Sequence, residues 1–338
     1  MLKKPDLPDD RLNSCLHNDY GLRITEISFL PLGADVNTAV YRAVSEDGTP
    51  YFVKLRRGDV DGTTVLIPQL LSDLGIAQII APIATSTGQP WTRVDAFTVI
   101  LYPFVTGENG FDRHLSDHQW IGLGVALKQM HTAALPCDLT EQLPHETYSS
   151  HWRELVRTFQ ARVEHEAFDD PAAAQLATLL RSNHDVVSEL VGRAGQLGEA
   201  LRGRSLDTVL CHGDIHAGNV LIDQNDALYI VDWDTLSVAP KERDLMFIGA
   251  GIGHIWNSAR EEGLFYQGYG RTAIDSMALA YYRHERIVQD IAAYCEQLLL
   301  TDEGGEDREQ SLHYFASQFL PNSVVEIACR SDLPLRAD

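Results

Sequence analysis

The sequence predicts an α+β protein of two lobes, and three observations carry that prediction. Strand-like runs crowd the first third of the chain, helical spacing of apolar residues dominates the remainder, and the extended stretch ILYPFVTGENG joins the two. The expected division is residues 1–105 as a small antiparallel-sheet lobe and residues 106–338 as a mostly helical lobe, with a cleft between them. Within the first lobe, Ile24 to Leu30, Ala39 to Val44, Tyr51 to Leu55 and Phe97 to Val105 are rich in β-branched and aromatic residues and are bounded by turn residues, which is the pattern of strands. Asp47-Gly48 closes a hairpin between the second and third of these. Thr63 to Gly75 has helical spacing, with Pro68 expected either in a first turn or as a break, since proline donates no backbone hydrogen bond. Beyond the junction, helices are predicted over Asp117 to Ala134, Trp152 to Glu166, Ala172 to Gly195 and Ile274 to Leu300. The acidic run from Thr301 to Gln310 reads as a solvated loop.

Composition narrows the function. The 338 residues include 27 Lys and Arg against 48 Asp and Glu, a formal net charge of -21. Affinity for nucleic acid comes from basic side chains releasing counterions, so such a partner is disfavoured, and the acidity suits solubility or a cationic partner. An apolar share of 44% and a charged share of 22% are those of a globular chain. Cys15, Cys137, Cys211, Cys295 and Cys329 are scattered, without the paired spacing of zinc sites or disulfide frameworks. No apolar run is long enough to span a membrane, and MLKKPDLPDD leads into Pro and Asp where a secretion signal needs apolar residues. A cytoplasmic location is therefore expected, and the sequence is silent on oligomeric state.

The chemistry is concentrated in LDTVLCHGDIHAGNVLIDQNDALYIVDWDTLSVAPKERDL. Apolar runs from Val220 to Ile222 and from Leu228 to Val231 flank Asn225-Asp226, so a tight hairpin is predicted that sets Asn219 opposite Asp232. An amide oxygen and a carboxylate at one hairpin end are hard ligands suited to Mg2+. Asp214, five residues before Asn219, supplies a third oxygen-bearing group. This spacing follows the logic of phosphoryl transfer in kinases. There an Asp accepts the acceptor's hydroxyl proton, an Asn five residues on holds metal, and an Asp past the next hairpin holds metal and phosphates. Lys54 in YFVKL is the candidate for steadying the phosphates of ATP. The loop from Pro31 to Thr38, with Gly33 and Asn37, could lie over those phosphates, and Leu101-Tyr102-Pro103 could present backbone groups to adenine.

The H-G-D-x-H-x-x-N signature in VLCHGDIHAGNVLI, together with YIVDWD, resembles the aminoglycoside phosphotransferase and choline kinase family, which has a protein-kinase-like fold. The segments GADVNTAVY, LYPF, DWDTLSVAPKERDLMFIGAGIG and YYRHERIVQDIAAY are similar to an aminocyclitol-modifying branch of that family. The resemblance implies ATP-dependent phosphorylation of a hydroxyl on an aminocyclitol antibiotic, with Asp214 as base, Asn219 and Asp232 on Mg2+, and Lys54 on ATP. It also implies acceptor contacts in the second lobe, for which Asp234, Glu285 and Asp290 are the candidates, as a negative wall for a cationic small molecule. Kinase-like folds pair the strand lysine with a helix glutamate, yet no Glu lies between Lys54 and Leu101, and Asp61 is the candidate partner. His212 and His216 are read as shaping the Asp214 loop, and His131 as capping or packing at a helix end. A kinase of choline, a sugar or another metabolite alcohol is the alternative, and a non-catalytic nucleotide-binding module is the alternative of another class.

Overall fold

A computed structural model of the chain describes residues 4–32, 37–250, 255–301 and 306–336, so Gly33 lies outside the described residues. In chain order the elements are α1 (Asp9–Tyr20), β1 (Ile24–Leu30), β2 (Thr38–Ser45), β3 (Pro50–Arg57), α2 (Thr63–Asp73), β4 (Thr92–Val94), β5 (Phe97–Pro103), β6 (Gly107–Asn109), α3 (Asp117–His131), α4 (Cys137–Thr140) and α5 (His151–His165). They continue with α6 (Pro171–Ser182), α7 (His184–Arg202), β7 (Thr208–Cys211), β8 (Val220–Asp223), β9 (Leu228–Ile230), β10 (Ser237–Pro240), α8 (Glu242–Leu245), α9 (Ala259–Tyr269), α10 (Ser276–Leu299), α11 (Glu306–Ser317) and α12 (Val324–Arg336). Strands dominate the early part of the chain and helices the later part, as expected of an α+β protein. Among the described residues no helix is long and apolar enough to cross a membrane.

The chain divides into two compact units that are not continuous in sequence. The first comprises Met1–Arg113, Ala133–Leu143 and Asn219–Leu236, and the second His114–Thr132, Pro144–Gly218 and Ser237–Asp338. This differs from the single cut after residue 105 expected from the sequence, because β6 pairs with β8 and Ile79 bridges to Ile230, which draws the β8-β9 hairpin into the first unit.

In the first unit, β1-β2-β3-β5-β4 form one antiparallel sheet. Its strands alternate, and one set of side chains, including Tyr41, Val53, Leu55, Val99 and Leu101, is buried with Leu12 and Leu16 of α1. Helix α2 runs through Pro68 instead of starting or stopping there. Pro68 forfeits one bond to the helix, and the burial of Val65, Ile67 and Leu71 on the same element offsets that loss.

The β8-β9 register corrects the sequence reading. Val220 pairs with Ile230, and the Asn219 carbonyl accepts from Val231 N–H at 3.0 Å, so Asn219 opposes Val231 and not Asp232. The turn is one residue longer than expected: Asp223 pairs with Ala227 around residues 224–226, the Asp223 carboxylate accepts from Asn225 N–H and Ala227 N–H, and Asp226 takes a left-handed φ of 65°. Turn length sets register, and one extra turn residue shifts every pair by one.

In the second unit, β7 and β10 pair antiparallel. A helical core gathers Val156, Phe159, Leu176, Leu190, Ile291 and Phe315, among others, from α5, α6, α7, α10 and α11. The helix expected over Ala172 to Gly195 is two helices, α6 and α7, broken at Asn183, whose amide donates to the Leu179 carbonyl. Local side-chain bonding of this kind competes with helix continuation. The acidic run is also not all loop, since α11 begins at Glu306 and the buried Arg308 bonds to Asp170 and to the Leu298 carbonyl. Helices α3 and α9 approach backbone to backbone. A Cβ at Gly124 would collide with the Phe265 carbonyl, and one at Gly268 with the Ile121 carbonyl.

Candidate active site

In the first unit Lys54 lies in the middle of β3, where β2 and β5 pair with it on both sides. Its Nζ pairs with Asp234 Oδ2 at 2.7 Å, and Arg56 approaches the same oxygen at 3.6 Å. The Lys54 and Asp234 side chains are 15% and 28% exposed, so solvent screens the pair only in part. Asp61 is not the partner of Lys54. Its Oδ1 accepts from Thr63 N–H at 3.0 Å and from the Thr63 hydroxyl at 2.7 Å, so its short side chain is spent at the start of α2. The acid that pairs with Lys54 instead comes from D-W-D, and Asp234, expected at the acceptor, is committed to a lysine.

Asp232 takes a left-handed φ of 64°, a conformation that Asp tolerates better than most residues. Trp233 beside it is buried and donates its indole N–H to the Ile230 carbonyl at 3.2 Å. Asn219 is buried at the end of a short 3-10 turn, and its carbonyl bond to Val231 N–H holds it to the residue preceding Asp232. Both side chains carry hard oxygen donors, so the pair fits Mg2+, which takes few protein ligands and keeps its waters or substrate phosphates for the rest.

Tyr102 on β5 lies close to these acids. Burial first, and then the charges of Asp234 and Asp232, push its phenol well above the usual tyrosine range. Leu101 is wholly buried in the sheet core, and its carbonyl accepts from Ile83 N–H at 2.7 Å, so Leu101 is bound into the sheet on both edges. Tyr102 and Pro103 continue the same strand, and Pro103 is exposed. Asn37 is exposed just before β2, and its carbonyl accepts from Arg57 N–H.

In the second unit β7 delivers the His212-Gly213-Asp214 turn. Gly213 takes a φ of 84°, which a side chain would resist. The turn is held from below by Asp244 of α8, which sequence reasoning missed. Its carboxylate accepts from His212 N–H at 2.9 Å and from Gly213 N–H at 2.6 Å, and faces His131 Nε2 at 2.9 Å. His131 Nδ1 reaches the Tyr269 hydroxyl at 2.8 Å. Asp244 is 0% exposed. Burial alone would raise its carboxyl, but His131, His212 and the Gly213 N–H hold it below the usual carboxylate range. His131 thus neither caps nor merely packs; it links α3 and α9 to the Asp214 turn. The available signal was a charge set directly against the apolar run from Leu245 to Ile248.

Asp214 is flanked by an arginine and two histidines. Arg286 Nη1 of α10 pairs with its Oδ1, and His216 Nε2 faces its Oδ2 at 3.6 Å. Burial pushes the Asp214 carboxyl up, but His216, Arg286 and His212 outweigh it and hold the group well below the usual carboxylate range. His212 Nδ1 accepts from Asp214 N–H at 3.3 Å, and His216 Nδ1 accepts from Gly218 N–H at 3.0 Å, so both histidines shape the turn as expected.

Glu285 and Asp290, expected to face an acceptor, are held by arginines of their own unit. Glu285 is 9% exposed and pairs with Arg153, and burial pushes its carboxyl up to about 7 against the pull of that arginine. Asp290 Oδ1 accepts from Arg286 Nε at 2.9 Å. Trp120 and Trp256 meet edge to face and are core.

The Phosphotransferase enzyme family (APH) model matches residues 28–280 of the chain. A solved spectinomycin phosphotransferase, APH(9)-Ia in complex with ADP and spectinomycin, is 41% identical, with 97% of this chain and 99% of that one covered at a TM-score of 0.91. Protein StrN of Streptomyces griseus is 27% identical over 248 residues, 71% of this chain and 75% of its own length. The choline kinase LicA of Streptococcus pneumoniae, at 16% identity and a TM-score of 0.53 over 91% of this chain and 99% of that one, shares the fold.

Proposed function

The chain belongs to the phosphotransferase enzyme family and has its kinase-like fold, and on that premise we propose that it transfers the γ-phosphoryl group of ATP to a hydroxyl of spectinomycin, a cationic aminocyclitol. The near full-length likeness to the spectinomycin-bound relative is the observation that carries this reading. Antibiotic resistance is the corresponding biological role.

Nucleotide handling falls to residues of the first unit. Lys54, oriented by Asp234, offers a fixed positive charge to the phosphates. Asn219 and Asp232 would hold Mg2+, which supplies charge neutralisation on the phosphate oxygens. Proton handling falls to the second unit. The acceptor oxygen attacks the γ-phosphorus, the bond from phosphorus to the bridging oxygen breaks, and ADP leaves with that electron pair. The hydroxyl proton passes to the carboxylate of Asp214. Because the transition state is loose, Asp214 need be only a well-placed hydrogen-bond acceptor, and a carboxylate of low basicity suffices.

ADP release is measured with Mg-ATP against spectinomycin, choline, kanamycin and simple sugars, with Asp214→Asn as control. Turnover of spectinomycin that the variant loses, while it still binds Mg-ADP, supports the proposal. Turnover of another acceptor alone would replace the substrate and keep the class.

A further inference from the structure

Arg286 makes more contacts at Asp214 than a simple ion pair needs, all of them inside the second unit. Its Nη1 pairs with Asp214 Oδ1, and its Nε pairs with Asp290 Oδ1 at 2.9 Å. Asp290 is one helical turn further along α10, so the two side chains share a face. The guanidinium stands 5.4 Å over the ring of Phe247. Phe247 meets the edge of His216 at 5.7 Å, and His216 Nε2 faces Asp214 Oδ2. These contacts close a ring from Arg286 through Asp214, His216 and Phe247 back to Arg286.

Resting on the phosphotransferase reading, we propose that Arg286 is the positioning residue of the proton acceptor: anchored by Asp290, it holds Asp214 through Oδ1 and so presents Oδ2 to the acceptor hydroxyl. The choice of arginine fits this role. Its planar fork offers Nη1 and Nε to two carboxylates at a fixed angle, whereas a lysine is a single point of charge on a flexible stem. Proton transfer during phosphoryl transfer depends on placement, and a displacement of about 1 Å can cost roughly 10²-fold in rate. Asp290, read from the sequence as an acceptor contact, becomes part of the base's mounting.

The test uses the full chain with Mg-ATP and spectinomycin, and compares wild type with Arg286→Lys, Arg286→Gln and the double variant Arg286→Gln/Asp290→Asn. The expected result for Arg286→Gln is a kcat loss on the order of 10²-fold with the KM for Mg-ATP little moved. Arg286→Lys should recover part of that loss. The double variant removes one of the two carboxylates that Arg286→Gln leaves without their cation, so it should regain part of the melting temperature without regaining kcat. Recovery of kcat in step with melting temperature would overturn the proposal, because the defect would then be structural. If Arg286→Gln does not fold, Arg286→Lys carries the test: a lowered kcat at wild-type melting temperature supports the proposal, and an unchanged kcat overturns it. A wild type that transfers no phosphate to spectinomycin overturns the proposed function first, whereas an active wild type with indifferent Arg286 variants overturns the positioning role alone.

Discussion

Asp244 is fully buried beneath the Asp214 turn, and its replacement should be among the most damaging in the molecule. Asp244→Asn keeps the shape and one oxygen but puts an amide NH2 against a donor. At least one of the bonds from His212 N–H and Gly213 N–H is then lost. Hydrogen bonds to a charged acceptor contribute about 1.5–3 kcal/mol, and a buried N–H left unpaired costs a further 1–3 kcal/mol, roughly. With Asp244 at 0% exposure, water cannot make up the deficit, so a destabilisation of about 3–5 kcal/mol is expected. At roughly 2–4 °C per kcal/mol for mid-sized domains, the melting temperature should fall on the order of 10 °C. Catalysis should suffer independently of unfolding, because these two amides seat the turn that carries Asp214, and a shift of about 1 Å there costs roughly 10²-fold. Thermal melts, kcat well below the melting temperature and Mg-ADP affinity together make the assay, and the affinity should be nearly unchanged. A variant with wild-type kcat and melting temperature would refute the claim that Asp244 seats the catalytic turn.

Three further outcomes are expected. Lys54→Met removes the partner of Asp234 and should raise the KM for Mg-ATP and lower kcat; an unchanged KM would contradict the phosphate role. Asp214 has a folded-state pKa held below its unfolded value near about 3.9, so its contribution to stability is full above that pH and is lost as pH falls through the folded value. The stability advantage of wild type over Asp214→Asn, followed by denaturant titration, should therefore be flat at neutral pH and shrink only in acid; an advantage that vanishes near neutral pH would show that Arg286 and His216 do not dominate. Gly268→Ala forces a methyl against the Ile121 carbonyl and should cost about 1–3 kcal/mol by overpacking α3 against α9, checked by melting temperature, where no change would argue that these helices part easily.

The legible parts of the structure were those written in local pattern. Strands β1, β2, β3 and β5 followed from β-branched runs between turn residues, and the long helices from apolar spacing. The H-G-D-x-H-x-x-N signature and D-W-D singled out Asp214, Asn219 and Asp232 as candidates by residue type and short spacing, and Lys54 was singled out by its place in the third strand. What escaped depended on distance or on one residue of turn length. The hairpin register turned on whether two or three residues close the loop, which Gln224-Asn225-Asp226 leaves open. The partner of Lys54 lies 180 residues away, beyond any local signal, and the acid expected from the sequence, Asp61, is already used by Thr63. His131, Asp244 and Arg286 likewise meet their partners only through tertiary packing, so a charged residue beside an apolar run was the sole trace of them.

Phosphorus NMR and mass spectrometry of the product formed from Mg-ATP and spectinomycin test the central claim most directly. The expected product is a spectinomycin phosphate monoester, formed in step with ADP and absent with Asp214→Asn. ADP formed with only inorganic phosphate, or a monoester formed equally well by Asp214→Asn, would contradict that claim.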